Sequence, residues 1–184
     1  AVLTALEMQQ ALPELNRKLA SKGWPELKIG FGVNSGAMTV GDMGSPVRQS
    51  YTVLGDAVNL GSRLEGITKQ YGVGIIAGEA TYEQLKSSFV FRELDRVRVK
   101  GKAEPIGIYQ PVGMAGEVDQ EALQELALWN EALRYYRRQE WEPAVAALHK
   151  LSRLAPCYLY ELYAKRIEVY REKPPGEGWD GVTT

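Results

Sequence analysis

Apolar residues recur at Met8, Leu12, Leu15 and Leu19, spaced four, three and four apart with polar residues between, and this predicts an amphipathic helix over 1–22. Pro13 falls inside it as a potential kink, and Lys22-Gly23 ends it. The period then drops to two: Leu27, Ile29, Phe31 and Val33 alternate with other residues, which predicts a strand over 27–34. Asn34-Ser35-Gly36 reads as a turn, 37–40 as the returning arm of a hairpin, 41–46 as a glycine-rich loop, and 47–54 as extended chain. A tight Gly55-Asp56 turn leads into a helix that has Asp56 at or near its start as cap, with Gly66 and Gly72 as possible stops. Beyond it lie a short apolar strand over 73–77, a helix over 79–88, and strands over 89–99 and 106–112 joined through the basic turn Lys100-Gly101-Lys102. Helices alternating with mostly antiparallel strands predict an α+β sandwich, with helices covering a sheet.

Met114-Ala115-Gly116 marks a change of composition and divides the chain into 1–113 and 114–184. From 118 to 171 the pattern is helical, with Leu123, Leu126, Ala127 and Leu133 on one stripe. Ala132, Tyr135, Ala144, Leu148, Leu151 and Pro156 follow the small-aromatic-small spacing of a single tetratricopeptide-like repeat. One repeat cannot bury its own apolar face, so these helices must pack on the preceding part, on a partner or on a second copy. A third helix is predicted over 158–170, followed by a Pro-Gly-rich tail in which Trp179 is exposed unless it docks.

Composition narrows the function classes. The 184 residues carry 22 Lys and Arg against 23 Asp and Glu, a net charge of −1, so nothing favours nucleic acid or an anionic membrane as partner. A single cysteine, Cys157, rules out an intrachain disulfide. With one histidine, His149, beside it, a zinc site built from soft ligands of this chain is implausible. There is no apolar run of about 18 residues and no signal-peptide pattern.

The chemistry concentrates between Arg48 and Gly72. Asn59 and Arg63 stand four residues apart, so an amide and a guanidinium share one helical face and can meet a phosphate ester together. Their setting is specific. Tyr51-Thr52-Val53-Leu54-Gly55-Asp56-Ala57-Val58-Asn59-Leu60 followed by Ser62-Arg63-Leu64-Glu65 resembles the signature of class III nucleotide cyclases at nearly every position. The likeness extends upstream through Lys28-Ile29-Gly30-Phe31-Gly32-Val33-Asn34-Ser35-Gly36 and Val40-Gly41-Asp42-Met43-Gly44-Ser45. Downstream it reaches Val99-Lys100-Gly101-Lys102 and Ile108-Tyr109, covering residues 1–113.

This resemblance implies a ferredoxin-like α+β cyclase sandwich, N-terminally incomplete, that converts a nucleoside triphosphate to a 3′,5′-cyclic monophosphate and pyrophosphate for signal transduction. It assigns transition-state stabilisation at the α-phosphate to Arg63 and ribose orientation to Asn59. Terminal-phosphate binding falls to Lys100, with Lys102 ranked second. Thr52 takes the base-reading position, where threonine resembles the bacterial adenylyl subclass, and backbone groups near Val53 and Leu54 add contacts to the base. The substrate implied is ATP and the cofactors are two Mg²⁺ or Mn²⁺ ions. The assembly implied is a head-to-tail homodimer with its active site between protomers.

Two departures qualify the resemblance. The family's two metal-binding aspartates, and the lysine that pairs with the base-reading threonine, belong upstream of Ala1. Asp42 stands after the wrong strand to replace one, and Asp56 reads as a helix cap. The missing part also includes central strands of the family's sheet, so an exposed apolar face on helix 1–22 and open sheet edges are expected. The stretch is accordingly expected to be part of a longer protein and inactive by itself. The catalytic domain is expected to be cytoplasmic, with room for a membrane anchor in the upstream sequence. Two other readings compete with adenylyl cyclase: a guanylyl cyclase, and a non-catalytic, cyclase-like dimerisation or regulatory module. The C-terminal helices could serve a protein partner.

Overall fold

A computed structural model describes residues 1–45, 48–98, 104–176 and 178–182. In chain order they form α1 (Val2–Ala20), β1 (Phe31–Val33), β2 (Thr39–Ser45), β3 (Arg48–Leu54), α2 (Asp56–Tyr71), β4 (Ile75–Gly78), α3 (Glu79–Leu85), β5 (Phe89–Val97), β6 (Ile106–Met114), α4 (Gln120–Arg137), α5 (Trp141–Leu154) and α6 (Tyr158–Glu172). The architecture is α+β. A four-stranded mixed sheet has the order β1-β4-β6-β5, with β1 and β4 parallel and the other pairs antiparallel. A separate antiparallel ribbon is formed by β2 and β3.

The ribbon replaces the hairpin expected between 27–34 and 37–40. The segment read as a glycine-rich loop is strand β2, running against β3 from Thr39 opposite Leu54 to Ser45 opposite Arg48. Gly41 and Gly44 are loop signals in sequence, yet ladder hydrogen bonds use only backbone, so a glycine can sit in a strand. β1 is only three residues long because the chain before it bonds to α1 side chains. The Asn16 amide takes both the Leu27 N–H and the Leu27 carbonyl, and Gln9 Nε2 donates to the Ile29 carbonyl at 2.7 Å.

α2 starts one residue earlier than a cap at Asp56 would place it. Gly55 is the N-cap, and Asp56 is the exposed first helical residue, whose side chain makes no capping bond. Gly66 does not stop the helix, since one interior glycine costs only about 1 kcal/mol relative to alanine. Gly72 stops it, in the left-handed conformation at φ 65°.

The helices after residue 114 pack on the sheet. Trp129 of α4 and Leu151, Leu159, Tyr163 and Ile167 of α5 and α6 share one continuous core with Leu64, Ile76, Leu94 and Ile108. The buried stripe of α4 is Leu126, Trp129, Leu133 and Tyr136; of the predicted stripe Leu126 and Leu133 are buried, whereas Leu123, 39% exposed, and Ala127 face solvent. An aromatic at 129, outside the repeat spacing, shifts the helix's rotation by turning its indole toward β5. Trp179 docks, its ring centroid 5.2 Å from those of both Tyr136 and Tyr170.

This packing is directed by a bulge. Glu93 lies opposite Tyr109 and Asp95 opposite Ile108, so Leu94 is an extra residue in β5. The Glu93 carbonyl accepts from Trp129 Nε1 at 2.7 Å, and the Leu94 carbonyl from the Tyr163 hydroxyl at 2.8 Å. Three ion pairs cross the same seam: Arg92 to Glu125, Arg137 to Glu93, and Arg166 to Asp95. The Tyr160 hydroxyl also donates to Glu125.

Because one core spans both segments, Trp129→Ala is expected to cost about 3–5 kcal/mol. In urea melts, near-UV and far-UV circular dichroism should lose their signals together, in one transition. Two separated transitions would refute the shared core.

Candidate active site

The site is built on how closely β1 approaches α2. A β-carbon placed on Gly32 would stand 2.0 Å from the Gly61 carbonyl oxygen and 2.4 Å from the Glu65 nitrogen, and one on Gly30 would stand 2.6 Å from Thr68 Oγ1. The strand therefore lies with its bare backbone on the helix. That contact sets the helix's rotation: Leu60, Leu64, Thr68 and Tyr71 turn inward and are buried, while Asn59 and Arg63 are exposed on the other side. The first turn is tied down by Asn34 Nδ2, which donates to the Ala57 carbonyl at 2.9 Å.

Gly55 connects the ribbon to the helix with φ 148° and ψ 162°, a conformation that glycine alone adopts readily. Thr52 sits three residues before it on β3, half-buried, opposite Gly41 of β2. Val53 is half-buried opposite Val40, and Leu54 is exposed opposite Thr39. Base-reading and phosphate-facing candidates therefore lie on two elements joined by a single glycine. Lys100 and Lys102 lie outside the described residues.

Asn59 and Arg63 share the exposed face of α2 and do not line the clefts beside it. A cleft of about 620 Å³ at the start of α2 is bordered instead by Asn34, Asp56, Glu79 and Glu83. Its three carboxylates make it a poor receptor for a triphosphate. The amide and the guanidinium thus lie together on the exposed face of α2. Among the described residues no group of three or more His, Cys, Asp or Glu could hold a metal ion, so the residues present do not fit a two-metal centre. Asp42 is exposed on β2.

The ribbon leaves apolar residues exposed on both of its faces. Tyr51 is 75% and Leu54 56% exposed, and Met38 and Val40 are exposed beside them. Leu3, Met8 and Leu15 of α1 are exposed too. Sequence reasoning gave no structural role to the glycines at 30 and 32, whose signal was the Gly-x-Gly pattern inside a predicted strand. It also passed over Asn34, read only as a turn residue.

The profile of the adenylate and guanylate cyclase catalytic domain matches residues 1–110. The chain belongs to the class III nucleotide cyclase family. The cyclase segment is 36% identical over 115 residues to adenylate cyclase 1 of Rhizobium meliloti, covering 62% of this chain and 17% of the relative. It is 41% identical over 117 residues to the adenylate cyclase of Anabaena cylindrica, covering 60% and 23%. The chain therefore spans less than a quarter of the length of these relatives. Among solved structures the cyclase resembles the adenylyl cyclase CyaB from P. aeruginosa, with TM-score 0.54 and 31% identity over 62% of this chain and 58% of that one. It also resembles the guanylyl cyclase Cya2, with TM-score 0.51 and 32% identity over 61% and 56%.

The contact between β1 and α2 can be tested by substitution. Gly32→Ala has to push backbone apart and is expected to destabilise by roughly 1–3 kcal/mol or more. Gly66→Ala, where an added β-carbon meets nothing within 4 Å, is expected to stabilise by about 0.5–1 kcal/mol. Chemical denaturation of both variants checks the pair, and equal effects would refute the close approach.

Proposed function

We propose that this chain is the C-terminal part of the catalytic domain of an adenylyl cyclase, which converts ATP to 3′,5′-cyclic AMP and pyrophosphate. The observation that carries the proposal is the outward presentation of Asn59 and Arg63 on one face of α2, directly after the ribbon that holds Thr52. In this reading the guanidinium of Arg63 meets charge developing on the α-phosphate, and the Asn59 amide holds the ribose so that its 3′-oxygen lines up with phosphorus. The Thr52 hydroxyl accepts from the adenine amino group, with the backbone near Val53 and Leu54 along the base. Lys100, and after it Lys102, neutralises the terminal phosphates.

A helix face that supplies only half of these contacts needs a second surface. The proposed assembly is a head-to-tail homodimer in which the partner brings carboxylates for two Mg²⁺ or Mn²⁺ ions from its own upstream sequence. The exposed apolar residues of the ribbon and of α1 support that reading, because such faces ordinarily lie against further structure. The adenylate cyclases among the relatives support ATP as substrate. The likeness to a guanylyl cyclase of known structure makes GTP the competing substrate.

The test uses a protein extended at its N terminus to the full catalytic domain. It is expected to form cyclic AMP in preference to cyclic GMP, and preference for GTP would replace the adenylyl reading with the guanylyl one. Arg63→Ala is expected to lower kcat on the order of 10²–10³-fold while sedimentation still shows the dimer. Undiminished turnover in that variant would remove Arg63 from its role.

A further inference from the structure

On the far side of α2 from Asn59 and Arg63, its last residue is gripped by the C-terminal helices. Asp95, directly after the bulge in β5, is 1% exposed. Its Oδ2 accepts from the Tyr71 hydroxyl at 2.8 Å and from Arg166 Nη1 of α6 at 2.7 Å, while its Oδ1 accepts from the Arg96 backbone N–H. The guanidinium of Arg166 also lies over the rings of Tyr163 at 4.9 Å and Tyr71 at 5.7 Å. One residue on, α6 makes a second hold. A β-carbon on Gly72 would stand 2.8 Å from Cβ of Tyr158, the first residue of α6. The end of the helix is thus fixed by a carboxylate oxygen of β5 that Tyr71 shares with Arg166 of α6, and by direct packing on Tyr158 of α6.

A helix is stiff over this distance. At 1.5 Å per residue Arg63 lies about 12 Å and Asn59 about 18 Å from Tyr71, so a shift or rotation at the gripped end is carried to the exposed face. A buried ion pair of this kind is a weak source of net stability, because desolvation offsets most of its attraction. It is a strong source of geometric definition, since the partners tolerate few other arrangements. Burial, and then the charge of Asp95, hold the Tyr71 hydroxyl far above the ordinary tyrosine range, so it remains a donor.

We propose that Tyr71, Asp95 and Arg166 form a positioning clamp through which the C-terminal helix α6 sets the placement of α2, and with it that of Asn59 and Arg63, for turnover. The clamp rests on the reading of α2 as the catalytic helix. It makes Arg166 of α6 a positioning residue that acts on α2 through Asp95 and touches no substrate.

The N-terminally extended protein tests it with two readouts. Tyr71→Phe removes one hydroxyl and keeps the ring. Its kcat is expected to fall about tenfold with KM for ATP within about twofold, since misplacement by about 1 Å can cost on the order of 10²-fold. Amide exchange over 68–71 is expected to accelerate roughly fivefold, as the loss of one ordinary hydrogen bond would give. Arg166→Gln should reproduce the pattern, and Arg166→Lys, which keeps the charge, should recover part of kcat. Leu148→Ala, in α5 and outside the clamp, should lower Tm at least as far and leave kcat of the folded enzyme unchanged. Unaltered exchange in Tyr71→Phe would overturn the clamp. Faster exchange with unaltered kcat, or an equal loss of kcat in Leu148→Ala, would overturn its part in turnover. Absence of any cyclic nucleotide from the parent protein would overturn the cyclase reading, leaving exchange to judge the clamp.

Discussion

The bare backbone of β1 lying on the backbone of α2 is the contact from which the rest of this structure follows. At Gly32 strand and helix approach more closely than a side chain would allow. At that separation the helix has no freedom to roll, because Gly30 on one side and Asn34 on the other meet its third and first turns. Leu60, Leu64 and Tyr71 then face the sheet, and the polar residues between them face out. A methyl group at Gly32 would lift the helix off the strand and turn its polar face to a new direction. The direction in which that face points is a consequence of the side chain that Gly32 leaves out.

The opposite seam works by addition. A bulge at Leu94 turns the backbone of β5 so that two consecutive carbonyls and one carboxylate are met by Trp129, Tyr163 and Arg166. Each of these groups would be costly to bury alone, at roughly 1–3 kcal/mol for an unsatisfied polar group. Paired, they cost little and admit few alternative dockings. Apolar burial by the tyrosines, tryptophans and leucines of α4–α6 supplies the driving force, and the polar contacts choose the register. The helices are thereby joined to the sheet in one arrangement, with Trp179 of the tail packed over the aromatic residues of α4, α5 and α6.

Part of the apolar surface of the chain is left exposed. The ribbon of β2 and β3 is the clearest case. Two strands alone are marginal in water, and this pair shows Tyr51 and Leu54 to solvent. The residues proposed to read the base and to meet the phosphate lie beside that surface, on the ribbon and on the helix that follows it.

How much of this was legible in sequence depended on whether a residue's partners were local. The helices over 1–22, 56–71 and 158–170 were readable from local spacing and end signals, although the stripe of the first leaves Met8 and Leu15 exposed, and the α+β class followed from their alternation with strands. The Asn59–Arg63 pair was readable because helical spacing alone puts the two on one side. The partnering of β2 with β3 was not, because Gly41 and Gly44 carry no side chain to announce a strand and pair through backbone alone. Nor was the bulge at Leu94, an offset of one residue against a strand thirteen positions away that no local pattern encodes. Asp95 read as one more charge among 23 acidic residues. Sequence by itself determined the helices, the family and the helix face that carries the candidate chemistry; the helices and that face depend only on neighbours three or four positions apart. Only the tertiary structure decided that α6 packs on the end of α2 and that α4, α5 and α6 share the core of the sheet, because those contacts join residues far apart in the chain, whose meeting is set by packing.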